Sequence, residues 1–171
     1  MNTIHTARSL LLATSLGLLA LSAAQADGGR GMPRNMPAAY TAECAACHTA
    51  YTPGLLPARS WQRIMTGLDK HYGTDASLDP ATVQQLSSWL QANAGTYKRV
   101  TEEPPQDRIT RSVWFARKHD DIAPAVWKHA SVKSAANCGA CHTGADKGQY
   151  DDDNIRFPAG LDARYRRGWN D

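Results

Sequence analysis

Phenylalanine is scarce in this sequence, which has only Phe115 and Phe157 among 171 residues. A core built from protein side chains alone would therefore be thin. No run of alternating apolar and polar residues is long enough to predict strands, so we expect a mostly α fold. The formal net charge of +3 is also small, and it gives no indication of binding to nucleic acid or to anionic membranes.

Long apolar runs are missing beyond the N-terminus. The first residues combine the positive Arg8, an apolar run over residues 10–21 and the small-residue sequence Ala24-Gln25-Ala26, a pattern that predicts an export signal covering residues 1–26. The apolar run is too short to span a bilayer unless it is extended. We therefore expect a cleaved signal and a soluble mature protein in the periplasm, and a retained N-terminal anchor is the alternative.

All four cysteines belong to two copies of the pattern C-x-x-C-H. The copies are Cys44, Cys47 and His48, and Cys138, Cys141 and His142. Two thiols three residues apart lie on one face of a helical turn, where both can add to the vinyl groups of one haem, and the histidine that follows can ligate its iron. Histidine makes up only 6 of 171 residues, so its presence after both pairs by chance is roughly a one-in-a-thousand event. The sequence predicts two covalently bound haem c groups.

Other uses of four cysteines fit the pattern less well. An oxidising compartment could pair them as two disulfides, and two C-x-x-C pairs could form a zinc site of four thiolates. Both alternatives leave His48 and His142 unexplained. A thioredoxin-like site needs a βαβ context, which this sequence does not indicate. Two buried porphyrins would also supply much of the apolar surface that the protein lacks.

A charged, proline-rich connector around residues 97–108 is the best candidate for a boundary between two lobes. We expect a flexible leader over residues 27–37, a first haem lobe over 38–100, a second haem lobe over 101–158 and a polar C-terminal tail over 159–171. Short helices are predicted at residues 38–48, 57–72, 80–94, 111–120 and 124–129. Pro57 suits a first helical position, and Asp79 suits an N-cap.

The ligand opposite the motif histidine decides the function of each haem, because two strong protein ligands block small molecules. His71 is a candidate for the first haem, and His119 and His129 compete for the second. His71 and His119 each lie 23 residues from a motif histidine, so each loop is long enough to fold back over a ring. Met65 shares the apolar face of its predicted helix, which favours a core role.

Three segments carry a resemblance to a known family. Residues 61–79 (WQRIMTGLDKHYGTDASLD), 108–121 (RITRSVWFARKHDD) and 137–148 (NCGACHTGADKG) resemble the dihaem cytochrome c family of small bacterial electron-transfer proteins. The resemblance implies a largely helical two-lobe fold, with short helices packed around two covalently attached haems. It also implies bis-histidine ligation at both haems, with His71 distal in the first lobe and His119 distal in the second.

The same resemblance implies redox partners. Electrons would arrive from a membrane b-type cytochrome or a quinol-linked donor and leave to a soluble haem protein, such as a small oxygen-binding monohaem cytochrome c. We therefore expect an electron-transfer protein and not an enzyme, with no catalytic residues and with low-spin irons. The alternatives are a peroxidase-like dihaem enzyme, which needs an open iron with acid and base groups above it, and a gas-binding cytochrome with one open haem.

Overall fold

The computed structural model describes residues 31–166, so the predicted export signal lies outside it. Every regular element in this range is a helix, which confirms the mostly α fold. Within it the α-helices are α1 (Ala38–Cys44), α2 (Ala58–Thr66), α3 (Pro80–Ala92), α4 (Val113–Lys118) and α5 (Pro124–Trp127), joined by short 3-10 turns. In this part of the chain, no helix is long and apolar enough to cross a bilayer.

Helix α3 begins where the sequence predicts. The Asp79 carboxylate accepts hydrogen bonds from the backbone N–H groups of Ala81 and Thr82, both at 3.0 Å. Pro80 takes a place in the first turn, where its missing N–H has no cost. The cap satisfies donors that have no partner inside the helix, and it thereby fixes the helix start.

Helix α2 is shorter than the sequence predicts. Pro57 is its extended N-cap residue and not its first helical residue, and the helix ends at Thr66. A separate 3-10 turn, Leu68–Lys70, then leads to His71. The helical spacing of apolar residues continues through Leu68, so it does not show that the helix ends at Thr66. Gly67 is a weak helix former and marks that end.

Buried apolar side chains form two clusters. The first comprises Tyr40, Ala50, Leu56, Trp61, Met65, Leu86, Trp89 and Leu90. The second is smaller and comprises Val126, Val132, Ala140 and Leu161. Because one buried aliphatic side chain stabilises the fold by about 1.5–3 kcal/mol, the second cluster, with half as many members, contributes less than the first. A thin protein core of this kind fits the scarcity of phenylalanine.

Two segments expected to lie outside the predicted lobes make contacts with residues in the range 38–158. The backbone N–H groups of Gly31 and Met32, in the expected leader, donate to the carbonyl oxygens of Gly148 and Lys147, both at 3.0 Å. Leu161, in the expected polar tail, is buried in the second cluster. The composition of these segments did not predict such contacts. The boundaries of the two lobes stay a prediction.

Candidate functional site

The first C-x-x-C-H motif begins at Cys44, the last residue of α1. Nδ1 of His48 lies 2.7 Å from the carbonyl oxygen of Thr49. A carbonyl oxygen only accepts, so Nδ1 carries the proton and the lone pair of Nε2 is free for a metal. The His48 ring faces the ring of His71, with centroids 6.1 Å apart and planes 24° apart. The structure thus brings these two predicted ligands together.

Tyr72 fixes the turn that carries His71. Its backbone has φ +52°, a left-handed conformation that reverses the chain directly after His71. Its hydroxyl donates to the carbonyl oxygens of Gln106 and Asp107, at 3.0 and 3.2 Å. The Asp107 carboxylate is in turn held by two hydrogen bonds from the guanidinium of Arg63 on α2, at 2.8 and 2.5 Å. The loop that ends in His71 is therefore tied to the predicted connector, residues 97–108.

The second motif is held by a 3-10 turn, Cys138–Ala140, which leads into Cys141 and His142. The ring of His142 lies opposite that of His119, with centroids 6.2 Å apart and planes 78° apart. Nδ1 of His142 is buried and has no hydrogen-bond partner among the described residues. A second pair of predicted ligands is therefore assembled, with a nearly perpendicular arrangement of the rings.

His119 is placed by α4. Ser112 caps this helix, because its hydroxyl oxygen accepts from the backbone N–H of Phe115 at 3.2 Å. His119 follows the last residue of the helix, and its Nδ1 lies 2.9 Å from the Phe115 carbonyl oxygen. Its ring also stacks on the Phe115 ring, at 4.1 Å between centroids and 20° between planes. The stack and the Nδ1–H bond leave Nε2 of His119 free to act as a ligand.

His129 has the opposite hydrogen-bond pattern. The backbone N–H of Ser131 donates to Nδ1 of His129 at 3.3 Å, and the Ser131 hydroxyl lies 2.7 Å from the same nitrogen. Because an N–H only donates, Nδ1 accepts, and in the neutral ring the proton is on Nε2. Neither nitrogen of His129 then offers a free lone pair, whereas His119 does. The contacts favour His119 over His129 as the partner of His142.

Burial lowers the pKa of three of the four facing imidazoles. It lowers the pKa of His71, and the neighbouring charge of His48 lowers that pKa further. Burial likewise lowers the pKa of His119 and of His142. These rings are held neutral, which is the form in which imidazole binds a metal.

The distances in both pairs suit a single iron between two imidazoles. A metal–imidazole bond is about 2.0–2.1 Å and a ring centroid lies about 1.1 Å behind its nitrogen, so two imidazoles on opposite sides of one metal have centroids roughly 6.2 Å apart. The observed separations are 6.1 and 6.2 Å. Met65, the thioether alternative, is instead buried in the first hydrophobic cluster. The residues present fit two haem groups.

The cysteines show no sign of their alternative uses. All four have free thiols in the structure. Among residues 31–166, no group of three or more His, Cys, Asp or Glu side chains is arranged to hold a bare metal ion. Burial raises the pKa of Cys44 and of Cys138 to about 11, so both thiols are protonated at neutral pH.

Sequence reasoning missed two tyrosines beside the motif histidines. The Tyr51 ring stacks on His48, at 4.8 Å between centroids and 18° between planes. The Tyr150 ring meets His142 edge-on, at 5.7 Å and 79°. Phe115, which stacks on His119, was missed as well. Its four-residue spacing from His119 on a predicted helix is the signal that could have found it.

Comparisons with known proteins agree with this geometry. The sequence profile described as dihaem cytochrome c matches residues 40–150. The structure of DHC purified from Rhodobacter sphaeroides is 44% identical, with a TM-score of 0.56 and coverage of 65% of this chain and 94% of that chain. The dihaem cytochrome type c from Shewanella baltica OS155 is 36% identical, with a TM-score of 0.63 and coverage of 72% and 96%. Curated protein sequences gave no match.

A further structure, a dihaem cytochrome c from Rhodobacter sphaeroides, is 43% identical, with a TM-score of 0.59 and coverage of 67% of this chain and 97% of that chain. The profile spans both C-x-x-C motifs, and the chain covers nearly the whole length of each solved relative. The cofactors are accordingly two covalently bound haem c groups, and the general role is that of an electron-transfer haem protein. This chain belongs to the dihaem cytochrome c family.

Proposed function

We propose that this chain is an exported electron-transfer protein in which each haem iron is held by two histidines. His48 and His71 hold the first iron, and His142 and His119 hold the second. The observation that carries this proposal is the pair of facing imidazoles at each site, 6.1 and 6.2 Å apart. When bound, each haem supplies an iron that alternates between the ferric and ferrous states.

The protein's own contribution is to keep both faces of each iron closed. Carbonyl oxygens orient the His48 and His119 rings through their Nδ1–H groups, and burial keeps the His71, His119 and His142 rings neutral. With an imidazole on each side, the site has no position for peroxide or a gas and needs no change of ligand during redox cycling. A peroxidase-like enzyme would need an open face with acid and base groups, so this arrangement favours electron transfer.

Carbon monoxide tests whether both sites are closed. We expect the ferrous holoprotein to bind none, because a strong imidazole ligand occupies each distal position. Visible spectra recorded before and after addition of the gas should be superimposable, and the ferric spectrum should lack a thioether–iron charge-transfer band. A spectral shift that titrates to one haem per chain would show an open iron and contradict the proposal for that site.

The ring planes predict different paramagnetic resonance signals for the two haems. Each imidazole perturbs the iron d orbital that lies perpendicular to its own plane. When the ring planes are 24° apart, both imidazoles perturb the same one of two iron d orbitals, so the two orbitals differ in energy. When the planes are 78° apart, each imidazole perturbs a different one of the two orbitals, and their energies stay nearly equal. We expect a well-resolved rhombic signal from the first haem and a more anisotropic signal, with a larger maximum g value, from the second.

A substitution at Phe115 assigns these signals. Phe115→Leu removes the ring that stacks on His119, but it leaves the backbone carbonyl that accepts from Nδ1. The His119 ring then has more freedom to rotate, so the anisotropic signal should shift while the rhombic signal stays as an internal control. Two identical rhombic signals in the unaltered protein would contradict the prediction.

The place of the protein in electron flow is also a proposal. We infer a periplasmic protein that receives electrons from a membrane b-type cytochrome and passes them to a small oxygen-binding monohaem cytochrome c. Family membership and the predicted export signal at residues 1–26, which lies outside the described residues, support this. The mass of the purified haem-bearing chain tests cleavage after Ala26, and the rate at which the reduced protein reduces a ferric monohaem acceptor tests the partner class.

A further inference from the structure

We propose that Tyr51 is a positioning residue that couples the two haem sites. It holds the His48 imidazole by stacking, and its hydroxyl links that ring to the attachment segment of the second haem. The inference rests on the proposed function, because it requires His48 to be an iron ligand.

The contacts of Tyr51 join parts of the chain that are far apart in sequence. Its ring lies nearly parallel to the His48 ring, at 4.8 Å between centroids. Its hydroxyl donates a 2.8 Å hydrogen bond to the carbonyl oxygen of Ala136, 85 residues away. The Sγ atom of Cys138, a predicted attachment atom of the second haem, lies 3.7 Å from the same carbonyl oxygen. One side chain thus connects a ligand of one haem to an anchor of the other.

The chemistry of Tyr51 suits a permanent bridge. The Ala136 carbonyl oxygen only accepts, so the Tyr51 hydroxyl is the donor and the bridge uses its proton. Electronic coupling falls more slowly along covalent bonds, hydrogen bonds and stacked rings than across empty space. In each exchange, one electron passes from the ferrous iron of one site to the ferric iron of the other. Tyr51 keeps its proton and is not oxidised, so no further reactant is needed.

Tyr150 is the rival bridge. Its ring meets His142 edge-on at 5.7 Å, it interacts with Thr52 of the first lobe, and its hydroxyl donates to the Ala145 carbonyl oxygen at 3.4 Å. The Tyr51 ring overlaps its histidine better, and its 2.8 Å hydrogen bond reaches a residue 85 positions away, whereas the hydrogen bond of Tyr150 to Ala145 stays within its own segment. These differences favour Tyr51, and they make Tyr150 the necessary comparison.

The test compares hydroxyl removals in the complete holoprotein. Tyr51→Phe keeps the stack but loses the bond to Ala136, Tyr51→Leu loses both, and Tyr150→Phe probes the rival. Tyr97→Phe is the matched control, because it removes a hydroxyl that donates to the Gly54 carbonyl oxygen at 3.3 Å, inside the first lobe. The rate of electron exchange between the haems is measured by nuclear magnetic resonance exchange spectroscopy on half-reduced samples.

We expect Tyr51→Phe to slow the electron exchange severalfold. Tyr97→Phe and Tyr150→Phe should exchange electrons at nearly the rate of the unaltered protein. Tyr51→Leu should slow it further and also shift the resonance signal of the first haem, because the His48 ring loses its support. An unaltered rate in Tyr51→Phe overturns the inference, as does slowing by Tyr150→Phe alone. If Tyr51→Leu does not assemble, Tyr51→Phe still decides.

Failure of the proposed function gives a different result. It would appear in the unaltered protein, as a high-spin or carbon monoxide-binding first haem. Failure of the Tyr51 inference would appear as unchanged exchange between two haems that are both low spin. The two outcomes are read from different samples, so each can be recognised on its own.

Discussion

Replacing His119 with alanine should convert the second haem to a high-spin form that binds carbon monoxide, whereas replacing His129 should leave both haems low spin. His119 faces His142 at 6.2 Å and has a free Nε2 lone pair, because its Nδ1–H donates to the Phe115 carbonyl oxygen. Nδ1 of His129 instead accepts from the Ser131 N–H. Loss of His119 therefore opens one face of the iron, and loss of His129 opens none.

The matched pair of variants makes this result specific. Both substitutions remove one histidine from the segment between residues 113 and 132, so a general disturbance of that segment would affect both variants alike. Paramagnetic resonance of the ferric proteins reports the spin state, and a carbon monoxide titration of the ferrous proteins reports the open site. A high-spin second haem in His129→Ala with a low-spin one in His119→Ala would reverse the assignment of the ligand.

The Gly148→Ala variant should lose at least about 3 kcal/mol of stability, which lowers Tm by roughly 6–12 °C in a chain of this size. Gly148 has φ +72°, a conformation that costs a side-chain-bearing residue about 1–2 kcal/mol. A Cβ atom there would also lie 2.7 Å from the carbonyl carbon of Gly31 and 2.8 Å from the nitrogen of Met32. These are backbone atoms, so the segment paired with Gly148 must move away.

Gly160 supplies the control for the space around Gly148. Its φ is +76°, almost the same, but the nearest atom to a Cβ there would be an imidazole carbon of His129 at 3.9 Å. Gly160→Ala should therefore lose only the backbone cost of about 1–2 kcal/mol. Denaturant unfolding of both haem-bearing variants, followed by circular dichroism, measures the difference. Equal losses would show that contact between residues 31–32 and Gly148 does not stabilise the protein.

Features that depend on neighbouring residues could be predicted from the sequence. The two C-x-x-C-H motifs, the Asp79 cap and the mostly α character all depend on residues close together in the chain. The place of the 3-10 turn before His71 was not predicted, since apolar spacing alone does not distinguish one long helix from a helix and a turn.

Contacts between distant residues could not be predicted in the same way. His119 lies 23 residues and His129 thirteen residues before His142, and this spacing alone did not decide which of them faces it. They have different hydrogen-bond partners, Phe115 and Ser131, and only the structure shows these. The bond from Tyr51 to Ala136 spans 85 residues and has no sequence signature at all.

The central claim is that both irons are closed by pairs of histidines. Low-temperature paramagnetic resonance of the ferric holoprotein, with the signals integrated against the haem content, tests it most directly. We predict that the low-spin signals account for both haems of each chain, one rhombic and one more anisotropic. A high-spin ferric signal that integrates to one iron per chain would contradict the account.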